Sequence, residues 1–212
     1  MRSATVFLLA ALAGMATAAT GEVKPPMEGY TVEEPAWEFD IEEGKPPVVL
    51  KGTAESVMDQ LTADYPDFAS KALARIASVN VDSVGQSSAV PEGLTKRDSN
   101  LCWVFPIARE NYIRDGIVYL HGVPGRPSIP AGPRVCHRVS CSWGSGIWWC
   151  NDNNFSKTLG SYKDIANGAQ ACNNECRRFA FDAGLDTGWW TSGQRFHNDG
   201  INIIIRGGEA NC

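Results

Sequence analysis

The second half of the chain is predicted to form an α+β domain, a small disulfide-stapled antiparallel sheet with two helices. Three observations carry the prediction. All seven cysteines fall between Cys102 and Cys212. The stretch from Cys136 to Asn153, CHRVSCSWGSGIWWCNDN, alternates on either side of Gly144-Ser145-Gly146 and reads as a hairpin. Ile165, Ala169, Cys172, Cys176 and Phe179 recur at spacings of four, three, four and three, one face of a helix.

The domain opens on the apolar run from Leu101 to Phe105, suited to a strand. Pro106 fits the first turn of a helix. In that helix Ile113, Gly116, Ile117 and Leu120 line one face, and Gly122 and Pro124 end it. GVPGRPSIPAGP is a loop. In the hairpin Val135, His137, Val139, Cys141 and Trp143 take one face, with Cys136, Arg138, Ser140 and Ser142 on the other. The register stays open, because one residue more in the turn moves Cys150 to the opposite face. Ser161 with Asp164 three residues on is a capping box for the second helix. After a glycine-rich loop, Ile201, Ile203 and Ile205 alternate as a last strand. The order strand, helix, strand, strand, helix, strand matches a ferredoxin-like split βαβ arrangement.

Upstream, residues 1–18 read as a secretory signal peptide: Arg2, a short apolar run, then Ala16 and Ala18. The run is shorter than the roughly 20 residues of a membrane span, and no other stretch approaches that length. Residues 19–97 read as an acidic propeptide, largely mobile. Between Thr20 and Arg97 there are 7 Lys and Arg against 14 Asp and Glu, a net of −7; from Asp98 onward 11 face 10, a net of +1. Val57, Leu61, Phe68, Leu73 and Ile76 give the segment patchy helical character, interrupted at Pro66. Lys96-Arg97 stands at the composition boundary and resembles the dibasic sites cut by kexin-type proteases in fungal precursors. Cleavage there leaves residues 98–212 as the mature cysteine-rich domain. Its near-neutral charge argues against a nucleic-acid partner.

Export permits disulfides, and seven cysteines leave one unpaired, with the pairing open. The spacings Cys-x4-Cys and Cys-x3-Cys fit zinc poorly, so no metal or other cofactor is expected. Trp143 and Trp149 are read as structural, since neighbouring strand residues point to opposite faces and at least one of Trp148 and Trp149 must be core. Trp189 and Trp190, in a Gly/Thr/Ser loop, are the candidates for surface binding. His121, His137 and His197 could serve general acid–base chemistry. No nucleophile motif accompanies them, and an ordinary surface or loop position is expected for each. Asn154-Phe155-Ser156 is an acceptor for N-glycosylation.

RDGIVYLHGVPGRP, CHRVSCSWGSGIWWCNDN, DIANGAQACNNEC and the closing INIIIR with a final cysteine resemble a group of small cysteine-rich secreted proteins of filamentous fungi, effector-like or killer-toxin-like. The resemblance covers Cys102–Cys212. It implies an aliphatic residue where this chain has Cys172, which makes Cys172 the free thiol and Cys102, Cys136, Cys141, Cys150, Cys176 and Cys212 the disulfide candidates. It implies no catalytic residues. The expectation is a secreted, extracellular, non-catalytic effector or toxin acting on another cell or its wall, with an unknown extracellular target. The alternatives are a small nuclease-like hydrolase and a glycan-binding module using exposed tryptophans. A cleft holding His137, His197 and a carboxylate would favour the first alternative; a flat exposed Trp pair would favour the second.

Overall fold

A computed structural model describes residues 23–84, 98–180 and 186–212. The signal peptide and Lys96-Arg97 lie outside the described residues. The strands and helices run β1 (Thr31–Val32), β2 (Ala36–Phe39), β3 (Val48–Lys51), α1 (Ala54–Asp64), α2 (Pro66–Ala77), β4 (Ser99–Cys102), β5 (Ala108–Arg109), α3 (Glu110–Gly122), β6 (Ser128–Ile129), β7 (Val135–Ser142), β8 (Ser145–Asn151), β9 (Lys157–Thr158), α4 (Tyr162–Cys176), β10 (Arg178–Ala180), β11 (Gly188–Thr191), β12 (Gly193–Phe196) and β13 (Ile201–Gly207).

The class is α+β. The main sheet has the order β1-β7-β8-β13-β12-β4, all neighbours antiparallel except β1 and β7. A ferredoxin-like sheet would hold the first strand of the cysteine-rich part between the third and the last. Here β8 pairs directly with β13, and β4 lies at the far edge beyond β12. The added strand β12, read from sequence as loop, takes the place beside β13 and displaces β4 outward.

The hairpin turn starts one residue early. Trp143 and Gly144 form the loop, both with positive φ (49° and 71°), and Ser142 faces Ser145. Two left-handed loop residues give the tight turn whose twist suits flanking strands. The register then shifts between Arg138 and Ser140. One extra residue reverses the alternation. Cys141 therefore shares a face with Cys136 and Arg138, not with His137 as simple alternation implies. Cys136 comes to lie opposite Cys150, with Cα atoms 4.1 Å apart.

The helices cover one face of this sheet. Gly116 of α3 lets the helix approach β7 and β8, since a Cβ there would stand 2.3 Å from Ser140 Oγ and 3.0 Å from Ile147 Cδ1. The capping box of α4 is present, and Ile165, Ala169, Cys172 and Cys176 are buried as the stripe requires. Phe179 does not continue the stripe. The helix ends at Cys176, and Phe179 is exposed on β10.

Residues 23–84 depart from the mobile segment read from sequence. The interruption at Pro66 is present, as the junction where α1 has ended and α2 starts. Trp37 is fully buried and stacks on Tyr162, centroids 3.8 Å apart. Helix α1 packs on α3 and β7, and α2 packs on α3. Strand β1 extends the main sheet, with Thr31 N–H donating to Arg134 O and Glu33 N–H to Cys136 O. Val23, Met27, Tyr30 and Val32 cover the second face of the sheet, over Cys136, Trp148, Cys150 and Ile204. That cover is why both Trp148 and Trp149 are buried.

The disulfides are Cys102–Cys176, Cys136–Cys150 and Cys141–Cys212, and Cys172 is the free cysteine, buried. Burial pushes its thiol pKa up to about 12, so it stays protonated and unreactive.

Candidate binding surface

The last residues of β4 lead into a bend at Trp103, whose φ is 64°. The backbone here is held from two sides: Trp103 N–H donates to Ser192 O, and its indole N–H donates to Cys176 O, beside the Cys102–Cys176 bridge. A bulky residue at positive φ is uncommon and is kept only where its surroundings hold it. Trp143 is a second such residue, on the hairpin tip.

Next to Trp103 the strands β10, β11 and β5 form a small antiparallel sheet. Trp190 pairs with Arg178 on one side and Arg109 on the other, and Trp189 pairs with Phe179. Trp189 and Trp190 are neighbours on β11, so they point to opposite faces. They do not form a flat pair. Each has its own arginine: Arg109 lies 4.4 Å from the Trp190 ring centre, and Arg177 lies 5.3 Å from that of Trp189. Arg178 lies 5.7 Å from the ring centre of Trp103. Phe179 meets Trp189 edge-on at 5.4 Å. Guanidinium groups stacked on indoles hold both groups in place while leaving N–H donors to face outward.

Trp143 is 76% exposed, against the structural role read from its sequence position. The turn removes it from the strand alternation and projects it outward, where it stacks with Tyr112 of the first turn of α3 at 6.0 Å. Arg109, at the N-cap of the same helix, ties this pair to the small sheet. Among the described residues, five of the nine exposed large hydrophobic side chains, Trp103, Val104, Trp143, Phe179 and Trp189, belong to these segments. Clustered exposed apolar side chains mark interaction sites more often than scattered ones do. Of the three arginines, Arg109 pairs with Asp186 and Arg177 approaches the buried Glu110; Arg178 makes no ion pair among the described residues.

The histidines are not brought together. His137 is not a surface or loop histidine as its sequence suggests: it lies on β7, buried and T-shaped against Trp149, and its Nε2 has no hydrogen-bond partner among the described residues. Desolvation lowers its pKa to about 4. His197 Nδ1 lies 3.2 Å from Asp98 Oδ2, and the same oxygen accepts from Arg195 at 2.8 Å. Burial lowers the His197 pKa, with the Asp98 charge opposing. Its Nε2 faces the backbone of α4 at Gly168, where a Cβ would stand 2.9 Å away. His121 lines a cavity of about 530 Å³ with Arg75, Ser161 and Lys163 and without a carboxylate. A second cavity, about 550 Å³, contains Glu34, Glu55, Asp59 and Arg138 and no histidine. Among the described residues no group of three or more His, Cys, Asp or Glu could hold a metal ion. Asn154 is exposed.

Sequence reasoning picked out Trp189 and Trp190. It missed Trp103, Trp143 and the three arginines. The arginine partners follow from pairing of short strands, which has no local signal. No family model, curated protein or solved structure matches the chain. Three disulfides fit an oxidising compartment, and no helix among the described residues is long and apolar enough to cross a membrane.

Proposed function

We propose that this is a secreted, non-catalytic protein that acts on another cell or its wall, as effector-like or toxin-like proteins do, by binding through its tryptophan–arginine surface. The observation that carries the reading is two exposed groups on the small sheet, Trp189 with Phe179 and Arg177 and Trp103 with Arg178, together with exposed Trp143 at the hairpin tip, on a disulfide-braced framework. Trp and Arg are the residue types that dominate binding energy at interfaces. A hydrolase would need a base open to substrate. His137 is sealed in the core and His197 is turned onto α4.

A glycan target is a second reading, favoured by Trp143. Its ring is largely free, rigidly placed on a two-residue turn, and broadened by Tyr112. The test is binding of labelled full-length protein and its Trp143→Ala and Trp189→Ala variants to intact target cells, isolated wall polysaccharide and RNA. Each variant should lose about tenfold or more in affinity, since a hot-spot residue is worth more than about 1.4 kcal/mol. Thermal stability should stay near wild type, because both rings are exposed. His137→Ala and His197→Ala, once shown to fold, should keep the biological effect. Loss of effect in a folded histidine variant with binding intact would replace this reading by the hydrolase.

A further inference from the structure

The segment that a dibasic cut would separate is built into the core. Residues 23–84 supply Trp37, Phe39, Val57, Met58, Leu61 and Ile76 to the same hydrophobic cluster as Ile113, Ile117, Trp149 and Ile165 of the cysteine-rich part. They also close the second face of the sheet over Trp148. Polar contacts cross the seam along its length: Arg206 to Pro26 O at 2.8 Å, Tyr30 to Asp152 at 2.7 Å, and Glu55 accepting from Ser140 Oγ and Cys141 N–H. Both cavities lie on this seam, each lined from the two sides: Arg75 and Asn80 with His121 and Lys163 in one, Glu34 and Glu55 with Arg138 and Cys212 in the other.

A cut within residues 85–97 breaks one peptide bond and none of these contacts. The described chain is anchored on both sides of it. Val84 is buried, and the Asp98 carboxylate is held by Arg195 and His197. We propose that residues 23–84 are a permanent subunit of the working protein: after cleavage behind Lys96-Arg97 they stay docked on residues 98–212 as a non-covalent two-chain form. The inference rests on the processing reading only for where the cut falls. None of the seam contacts above involves Trp103, Trp143, Trp189 or Trp190, so the retained segment leaves the tryptophan–arginine surface uncovered. Shedding it would instead bare the face of Trp148 and Ile204 and dismantle both cavities.

The experiment uses the full secreted chain. It is cut with a kexin-type protease, or, should Lys96-Arg97 resist, with a sequence-specific protease at a site inserted in residues 85–97. Native mass spectrometry and size-exclusion chromatography follow at about 1 μM. The expected product is one species containing both fragments, with its mass equal to the uncut protein plus one water and with unchanged tryptophan emission. Separation into a free segment and a free 98–212 fragment, folded or aggregated, overturns the proposal. Gly122→Ala provides the second arm, because a Cβ there would stand 2.5–2.8 Å from Ile76, across the seam. In the uncut chain the tether supplies an effective concentration near millimolar and keeps the parts together. In the cut chain the variant should release the segment at least tenfold more readily. Equal retention by the variant would overturn the seam as the cause. Retention is read from mass, and the surface function from the Trp143 and Trp189 variants, so either can fail without the other.

Discussion

Residues 23–84 contain no cysteine, whereas residues 98–212 contain seven and three crosslinks. Yet Trp37 in the first region and Trp149 in the second are both fully buried and belong to one cluster. The two regions lose their conformational freedom by different means. Crosslinks act largely on the unfolded chain, by shrinking the set of conformations it can reach. Packing acts on the folded state, by removing apolar surface from water. A difference in cysteine content therefore reports how a region is braced, and says nothing of whether it is ordered.

The largest expected effect comes from breaking the bracing that only the second region has. Cys102–Cys176 closes a loop of 74 residues, and chain-entropy arguments give its loss a cost of about 4.5 kcal/mol. Replacing both cysteines by serine should lower the unfolding free energy obtained from urea titration by about that amount. The bridge also holds β4 against α4 under Trp103, so cell binding should fall along with stability. Unchanged binding in the folded double variant would separate the bridge from the surface.

The next effect tests whether the uncrosslinked region is truly part of the same unit. Trp37→Ala removes a fully buried indole, its stack on Tyr162 and its hydrogen bond to Gly52 O. Large-to-small substitutions of this kind cost about 3–4 kcal/mol. With one shared core the loss should move a single unfolding transition, seen equally by circular dichroism and tryptophan emission. A separate early transition in the variant, with the main one unmoved, would show two independent regions instead.

The sequence made the long, periodic elements legible. Helices α3 and α4 and strands β7, β8 and β13 each present a repeating apolar face, and the Ser161–Asp164 box marks where α4 starts. Three things were hidden. The shift between Arg138 and Ser140 left no trace in the alternation, so the face of Cys141 was misread. Strands β5, β10, β11 and β12 have two to four residues, too few for a period to declare itself. The acidic charge of residues 19–97 outweighed the apolar positions of Trp37, Phe39, Val57 and Leu61, which look scattered along the chain and converge only once α1, α2 and the β2–β3 hairpin form. Of the candidate surface, Trp189 was readable as an exposed aromatic in a polar stretch, whereas Trp190 is half-buried and both lie on β11 rather than in a loop. Trp143 was not, because its exposure depends on which two residues make the turn.

The smallest of these effects is graded by pH and belongs to the crosslinked region alone. His137 is buried against Trp149, with no carboxylate among its hydrogen-bond partners, and its pKa falls from 6.5 to about 4 on folding. Between these values the unfolded chain binds the proton and the folded one does not, so stability rises with pH. The stabilisation is complete above about 6.5 and is lost progressively as pH falls towards 4, by up to about 3 kcal/mol. His121 and His197 shift in the same direction and add to the slope, although Asp98 opposes the shift at His197. His137→Phe keeps a ring against Trp149 and removes the proton site, and the Nε2 it replaces has no hydrogen bond to lose among the described residues. Urea unfolding at pH 7 and pH 4.5 should then show most of the wild-type pH dependence gone. Crosslinks cannot mask the difference, because they act equally at both pH values. An unchanged slope in His137→Phe would mean that the proton is taken up elsewhere, at His121 or His197.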